Sequence, residues 1–474
     1  MKNRLTLVSY RLPVRFSVAA GRLEVKQSTG GLATALSSYF DEEGSHSHEL
    51  RWMGVCDISE EKYRSAQRDP SAGDRLNSLH PVFIESRVGD LFYNGFCNSV
   101  LWPLFHYFPS FVVYDDTYFA AYRKANQVVA DEILATYREG DIIWIHDYHF
   151  MLLPGMLRRR IPEVCIGFFL HIPFPSYELF RVLPRNWQRE IMSGLLGADV
   201  VGFHTADYTM HFRESLSRTL HLKVTPEGVP YQGRTVRMRP FPIGIDFRRF
   251  SEVANTSAVR KEVQKIRERF RASKLVLSVD RLDYTKAIVN RLESFELFLK
   301  LNPKYREKAT YLLLLVPTRD SILKYRENKL IVETLIGRIN GLYGTLNWTP
   351  IIYQYRSLDF PKLVALYGAS HIALITPLRD GMNLVAKEFV ASRPEADGVL
   401  ILSDAAGCAN ELQQAIIVNP FDRHEIAEAI RLAMEQPLED QRRRIQAMQE
   451  HLHHHDVRRW VEEFLMSLEP QLSP

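Results

Sequence analysis

HIALITPLRDGMNLVAKEFVASR, His371 to Arg393, changes character twice within a few residues. IALI is a short apolar run of the kind that forms a strand buried on both faces. From Leu384 onward, apolar residues recur at helical spacing. Between these two segments, Arg379, Asp380, Gly381 and Asn383 fall within five positions. A plain turn accounts for part of the cluster, with Pro377 and Gly381 bending the chain and Asp380 or Asn383 capping a helix that begins near Met382. The rest of the chain decides whether the cluster is also a grip on a ligand.

The same strand-then-helix pattern repeats in both directions. Upstream, short apolar or β-branched runs stand at RLTLVS, RWMGV, DIIWIH, CIGFFLH and DVVGFH. A second series stands at KLVLSVD, TYLLLLVP, PIIYQY, HIALITP and GVLILSD. Alternation with longer helical segments predicts an α/β protein with two doubly wound parallel sheets. FPIGIDFRRF, Phe241 to Phe250, marks the break, giving an N-terminal Rossmann-like domain over 1–242 and a C-terminal one over 243–456. The amphipathic close of the chain, about 457–474, is expected to pack back across a domain. DEEGSHSHE, from Asp41, reads as an exposed loop.

Bulk properties narrow the function. With 474 residues, 46% hydrophobic and 24% charged, the chain has enough material for two sizeable cores and no low-complexity tract. A net charge of +4 is too small at this size to point to nucleic acid or a membrane surface. No apolar run approaches the roughly 20 residues of a membrane helix. Cys56, Cys97, Cys165 and Cys408 form no CxxC pair, which fits free thiols and a cytoplasmic location.

Ligands of open α/β sheets bind beyond the carboxyl ends of the strands. In the first half those ends carry His146, Asp147 and His149 in HDYH, His171 in FFLHIPFP and His204 in GFHT. Carboxylate and imidazole suit neutral hydroxyls, and imidazole can donate or accept. In the second half they carry Arg281 and Lys286 in DRLDYTK, Arg319 in VPTRD, and Arg379. Guanidinium forks and an ammonium suit a phosphate or diphosphate. For Lys286 the only acidic neighbour evident in the sequence is Asp283. A helix starting near Met382 would aim the amides of Gly381 to Val385 at an anion, with Glu388 farther along near a ribose diol. QSTGGLA places Gly30 and Gly31 in a turn after the first strand. It lacks GxGxxG and the Walker lysine motif, so neither a nicotinamide cofactor nor P-loop chemistry is supported.

Taken together, HDYHFMLLP, GFFLHIPFPSYELFRVLP, GADVVGFHT, FPIGID, DRLDYTK, GRING and TPLRDGMNLVAKEFVASR resemble the retaining trehalose-6-phosphate synthase family of glycosyltransferases, from about Arg4 to Phe464. The resemblance implies the GT-B fold, two Rossmann-like domains with a cleft between them. It implies transfer of glucose from a nucleotide sugar, usually UDP-glucose, to glucose 6-phosphate with retention. On the donor side it implies that Gly30 and Gly31 lie near the sugar nucleotide, that Arg281 and Lys286 meet its diphosphate, and that Leu358 offers a backbone contact to the base. Gly381, Met382, Asn383, Leu384, Val385, Ala386, Lys387 and Glu388 form the donor loop and ribose grip. Asp380 and His171 hold the transferred glucose. On the acceptor side Arg11, Tyr93 and Arg319 take the phosphate, while Trp102, Asp147 and His149 line the sugar.

No metal or other cofactor is implied, and no DxD motif is present. The partners implied are small molecules, with no nucleic acid and no membrane; a homo-oligomer is left open. Three positions depart from the family pattern: Val55 replaces an acceptor-side aromatic, Tyr10 precedes Arg11, and Ala287 follows Lys286 in place of glycine. They keep open a glycerol 3-phosphate acceptor, or a catalytically silent homologue that binds the same ligands.

Overall fold

The computed structural model describes residues 4–19, 22–27, 36, 39, 49–66, 78–317 and 323–468. Cα packing divides the chain into one unit of Met1–Pro242 with Trp460–Pro474, and a second of Ile243–Arg459.

In the first unit the strands are β1 (Arg4–Arg11), β2 (Val14–Ala19), β3 (Arg22–Gln27), β4 (Glu49–Val55), β5 (Leu79–Val82), β6 (Ile142–His146), β7 (Cys165–Phe169), β8 (Val200–Phe203), β9 (Val229–Tyr231) and β10 (Arg234–Pro240). The main sheet runs β5-β4-β1-β6-β7-β8-β10-β9, parallel except for the antiparallel edge strand β9. Every residue of β6, β7 and β8 is buried, as expected of strands covered on both faces. Sequence periodicity did not single out β5, β9, β10 or the β2–β3 hairpin, because these are short or half-exposed pieces without a clean apolar run. The hairpin also separates the first strand from Gly30 and Gly31, which fall outside the described residues.

The closing helix Val457–Met466 reaches into this unit from Trp460 on. Phe464 stacks on Trp144 of β6 at 4.6 Å. Two strand glycines make room for it: a Cβ on Gly167 or Gly202 would meet the Phe464 ring at 2.6 or 2.8 Å. A side chain at either position would lift the helix off the sheet.

The second unit holds β11 (Lys274–Arg281), β12 (Ala309–Val316), β13 (Ile351–Tyr355), β14 (Ile372–Ile375), β15 (Val399–Ser403) and β16 (Ile416–Val418). Its order is β13-β12-β11-β14-β15-β16, all parallel. Leu292, Phe295, Phe298, Tyr311 and Leu313 are among the residues of its core. In both units the order reverses beside the first strand, between β1 and β6 and between β11 and β14. These are the switch points beyond which doubly wound sheets bind ligands.

Candidate active site

In the second unit, β11 ends at exposed Arg281 and the chain turns through Tyr284–Lys286. Asp283 does not pair with Lys286 as its proximity in sequence suggests. It caps the turn by accepting from the Thr285 amide at 3.0 Å, and its other oxygen accepts from the Tyr325 hydroxyl at 3.0 Å. The partner of Lys286 comes instead from the loop after β14: Nζ lies 2.5 Å from Asp380 Oδ2, which also accepts from Asn383 Nδ2 at 3.0 Å. The two loops are tied further by the Leu378 amide donating to the Thr285 carbonyl at 2.9 Å. Their meeting follows from the sheet order, because β11 and β14 are neighbours although 94 residues separate the paired side chains.

Arg291 supports this corner from below and went unremarked in the sequence. Fully buried on the helix Ile288–Leu301, it donates to Asp280 Oδ2 at 2.5 Å, to the Lys286 carbonyl at 2.7 Å and to the Leu374 carbonyl at 3.0 Å. Its position three after Ile288 and four before Phe295 puts it on the helix's apolar face, which is the signal that could have found it. Ala287 adopts the left-handed conformation, φ 54°, so the glycine usual at this position in the family has a backbone reason.

The donor-side helix begins at Leu384, not near Met382. Asn383, at φ 76°, takes the cap position and accepts from the Ala386 amide at 3.2 Å, while the Met382 carbonyl accepts from Cys408. Asp380 donates its own amide to Ala405. Between those two engaged amides, none from Gly381 to Val385 donates a hydrogen bond among the described residues. Five consecutive free N–H groups at a helix start favour an anion.

Glu388 accepts from the Tyr367 hydroxyl at 2.7 Å; burial raises its pKa and that hydrogen bond opposes the rise. Lys387, expected within the donor loop, has its side chain engaged elsewhere. Its side chain is fully buried on the opposite face, with Nζ at 2.7 Å from both the Ile243 carbonyl and Glu411, because helical geometry turns position 387 away from the helix start. Leu358 sits in the turn between β13 and the helix Phe360–Ala369. Arg319 falls outside the described residues.

In the first unit, β1 delivers Tyr10 and Arg11. Arg11 Nη2 donates to the Tyr93 hydroxyl at 3.1 Å, and Tyr93 is carried by the π-helix Leu91–Leu101. The Tyr10 ring lies nearly parallel to those of Tyr93 and His149, at 4.4 and 4.8 Å. This departure from the family pattern therefore builds an aromatic cluster among residues expected to meet the acceptor. Trp102 is 5% exposed and packs on His106 and Tyr148 at 4.1 and 5.9 Å.

Asp147 follows β6 at φ 74° and ψ 170°, a region that is essentially glycine's. Strain of this kind gathers at functional sites. Here it lets the Asp147 amide donate to Phe169 at 2.7 Å while the carboxylate accepts the His171 amide at 3.2 Å. The His171 ring lies 3.1 Å from His146 through Nε2 and Nδ1, and its centroid is 5.3 Å from that of His204. Burial holds both His146 and His171 well below the usual imidazole range, assisted by their imidazole neighbours, so both rings are neutral. The three strand-end histidines are thus one cluster.

Two sheets that share a parallel core of order 3-2-1-4-5-6, one with strand ends furnished for an anion and the other for hydroxyls, define a two-Rossmann α/β protein of the GT-B glycosyltransferase class. Comparison with known proteins agrees. The family model for glycosyltransferase family 20 matches residues 3–470. A bifunctional trehalose-6-phosphate synthase/phosphatase from Thermoproteus tenax is 45% identical over 98% of this chain, which spans 63% of that protein's length. The 56 kDa subunit of the UDP-forming alpha,alpha-trehalose-phosphate synthase of Saccharomyces cerevisiae is 40% identical, with 92% of this chain and 88% of that protein aligned. The crystal structure of a UDP-forming alpha,alpha-trehalose-phosphate synthase from Burkholderia xenovorans in complex with glucose-6-phosphate superposes with a TM-score of 0.87 at 34% identity, covering 98% of this chain and all of that one. The chain belongs to glycosyltransferase family 20.

Proposed function

We propose that this protein is a retaining glucosyltransferase that moves glucose from UDP-glucose to glucose 6-phosphate, giving α,α-trehalose 6-phosphate. The observation that carries the reading is the run of unengaged amides from Gly381 to Val385 beside the Lys286–Asp380 pair. As the glycosidic C–O bond breaks, negative charge grows on the departing diphosphate. Fixed cations and amide dipoles aimed at that charge lower the barrier without reorganising. Arg281, Lys286 and the amide run meet the diphosphate, Glu388 the ribose, and the backbone at Leu358 the base.

In the first unit Arg11 and Tyr93 suit the acceptor phosphate, and Asp147, His149 and His171 suit sugar hydroxyls. Retention follows from attack on the face the diphosphate leaves, with the acceptor's proton passing to a leaving phosphate oxygen. Asp147 then orients and does not act as a nucleophile. The diphosphate's charge is met by the protein's own groups, so turnover should survive a chelator. Four free thiols fit a cytoplasmic setting.

Similarity to UDP-forming relatives favours glucose 6-phosphate over glycerol 3-phosphate as acceptor, and the furnished donor edge disfavours a silent binder. A matrix of UDP-, ADP- and GDP-glucose against the two acceptors, read by product mass, tests this. Expected is a product of a hexosyl-hexose phosphate mass from UDP-glucose and glucose 6-phosphate. Preference for glycerol 3-phosphate would reassign the acceptor, and binding without product from any pair would overturn the enzyme reading.

A further inference from the structure

His146 is the last residue of β6 and Asp147 the next, and together they hold His171 at two points. Asp147 accepts the His171 backbone amide, while His146 meets the ring. The ring contact joins two nitrogens, so one of them must carry the proton. The surroundings choose which.

His146 is 0% exposed, and its Nε2 is buried with no hydrogen-bond partner. It lies against the Trp144 ring, whose centroid is 4.5 Å away. If His171 Nε2 donated, the neutral His146 would carry its own proton on Nε2 as an orphaned N–H in apolar surroundings. Such groups are rare, and an unpaired acceptor lone pair is the lesser cost. The favoured arrangement therefore has His146 Nδ1–H donating to His171 Nε2. His171 then carries its single proton on Nδ1. That atom makes no hydrogen bond among the described residues, and His171 as a residue is of intermediate burial, unlike the fully buried His146.

We propose that His146 is a positioning residue that fixes His171 as the Nδ1–H tautomer, making it a hydrogen-bond donor to a sugar hydroxyl oxygen of the bound ligand. The inference rests on the glucosyltransferase reading for what His171 touches. The tautomer itself rests on the ring contact, the unpartnered buried Nε2 of His146 and the neutrality of both rings, and not on that reading. A hydroxyl read this way must accept from His171 and send its own proton to another acceptor, so the site recognises an oriented hydroxyl.

The test uses the full chain and three variants. In His146→Asn the amide nitrogen occupies the place of Nδ1 and keeps the donor; in His146→Gln it occupies the place of Nε2; His146→Phe keeps ring bulk with no donor. With UDP-glucose and glucose 6-phosphate, kcat/KM should fall about tenfold in His146→Phe and His146→Gln, the scale of one lost hydrogen bond, and stay within about threefold of wild type in His146→Asn. Melting temperatures of the Asn and Gln variants should agree, which separates positioning from folding. Nitrogen-15 NMR of the wild-type chain should show the His171 proton on Nδ1. An Asn variant no better than the Gln variant, or a wild-type proton on Nε2, would overturn the proposal. Absence of transferase activity in the wild type would sink the functional reading alone, since the tautomer is measured without turnover.

Discussion

Lys286 and Asp380 invite a perturbation that separates structure from chemistry. Their charged atoms are 2.5 Å apart, and the side chains are only 10% and 14% exposed. In Lys286→Met the carboxylate keeps Asn383 but loses the Lys286 ammonium, and breaking a buried pair from one side costs about 3–5 kcal/mol. Asp380→Asn strands the ammonium in the same way. Lys286→Met/Asp380→Asn has no charge to strand, and replacing both members of a buried pair is often neutral, so its stability should return to within about 1 kcal/mol of wild type. Turnover should behave differently. If Lys286 stabilises the leaving diphosphate, its loss removes about 100- to 1000-fold in kcat, and the double variant cannot recover it. Urea unfolding supplies the stabilities and UDP release under saturating substrates the rates. A double variant that regains both stability and turnover would show that Lys286 serves only to hold its loop.

Three further outcomes are expected. Asp147→Gly and Asp147→Ala both lose the carboxylate, but only glycine relaxes the φ 74°, ψ 170° backbone, so the glycine variant should be more stable by about 1–3 kcal/mol in urea while both are impaired; equal stabilities would refute the strain. At Ala287, glycine should be tolerated within about 1 kcal/mol, because relief of the left-handed cost offsets lost methyl burial and added chain entropy, whereas a β-branched valine at φ 54° should be clearly destabilising; a neutral Ala287→Val would refute the assignment. For pH, burial lowers the folded-state pKa of His146, so the unfolded chain takes up a proton that the folded chain refuses below about pH 6.5. That stabilisation is complete above about pH 6.5, and roughly 2 kcal/mol of it should vanish by about pH 5; urea midpoints unchanged between those values would count against a neutral buried imidazole.

The α/β class, the two series of strands and most of the polar residues at their carboxyl ends were legible because each is a local property. Apolar runs such as IIWIH and IALI identify buried parallel strands, and a parallel strand must hand its polar residues to the loop at its end. The long motifs carried the family by the same route. Local pattern could not say which loops meet. Lys286 has an acid three residues before it and pairs with another 94 residues away, because strand order is set by packing the whole sheet. Helix phase turned Lys387 inward and Arg291 under the Lys286 loop, while Trp102 was drawn into the aromatic core. Backbone conformation at Asp147, Ala287 and Asn383 leaves no mark in residue type when the residue is not glycine. Sequence alone determined which chemical groups this protein brings to its strand ends; tertiary structure decided which of them are charged neighbours, which donate and which are merely buried, since those properties depend on distance and on exclusion of water.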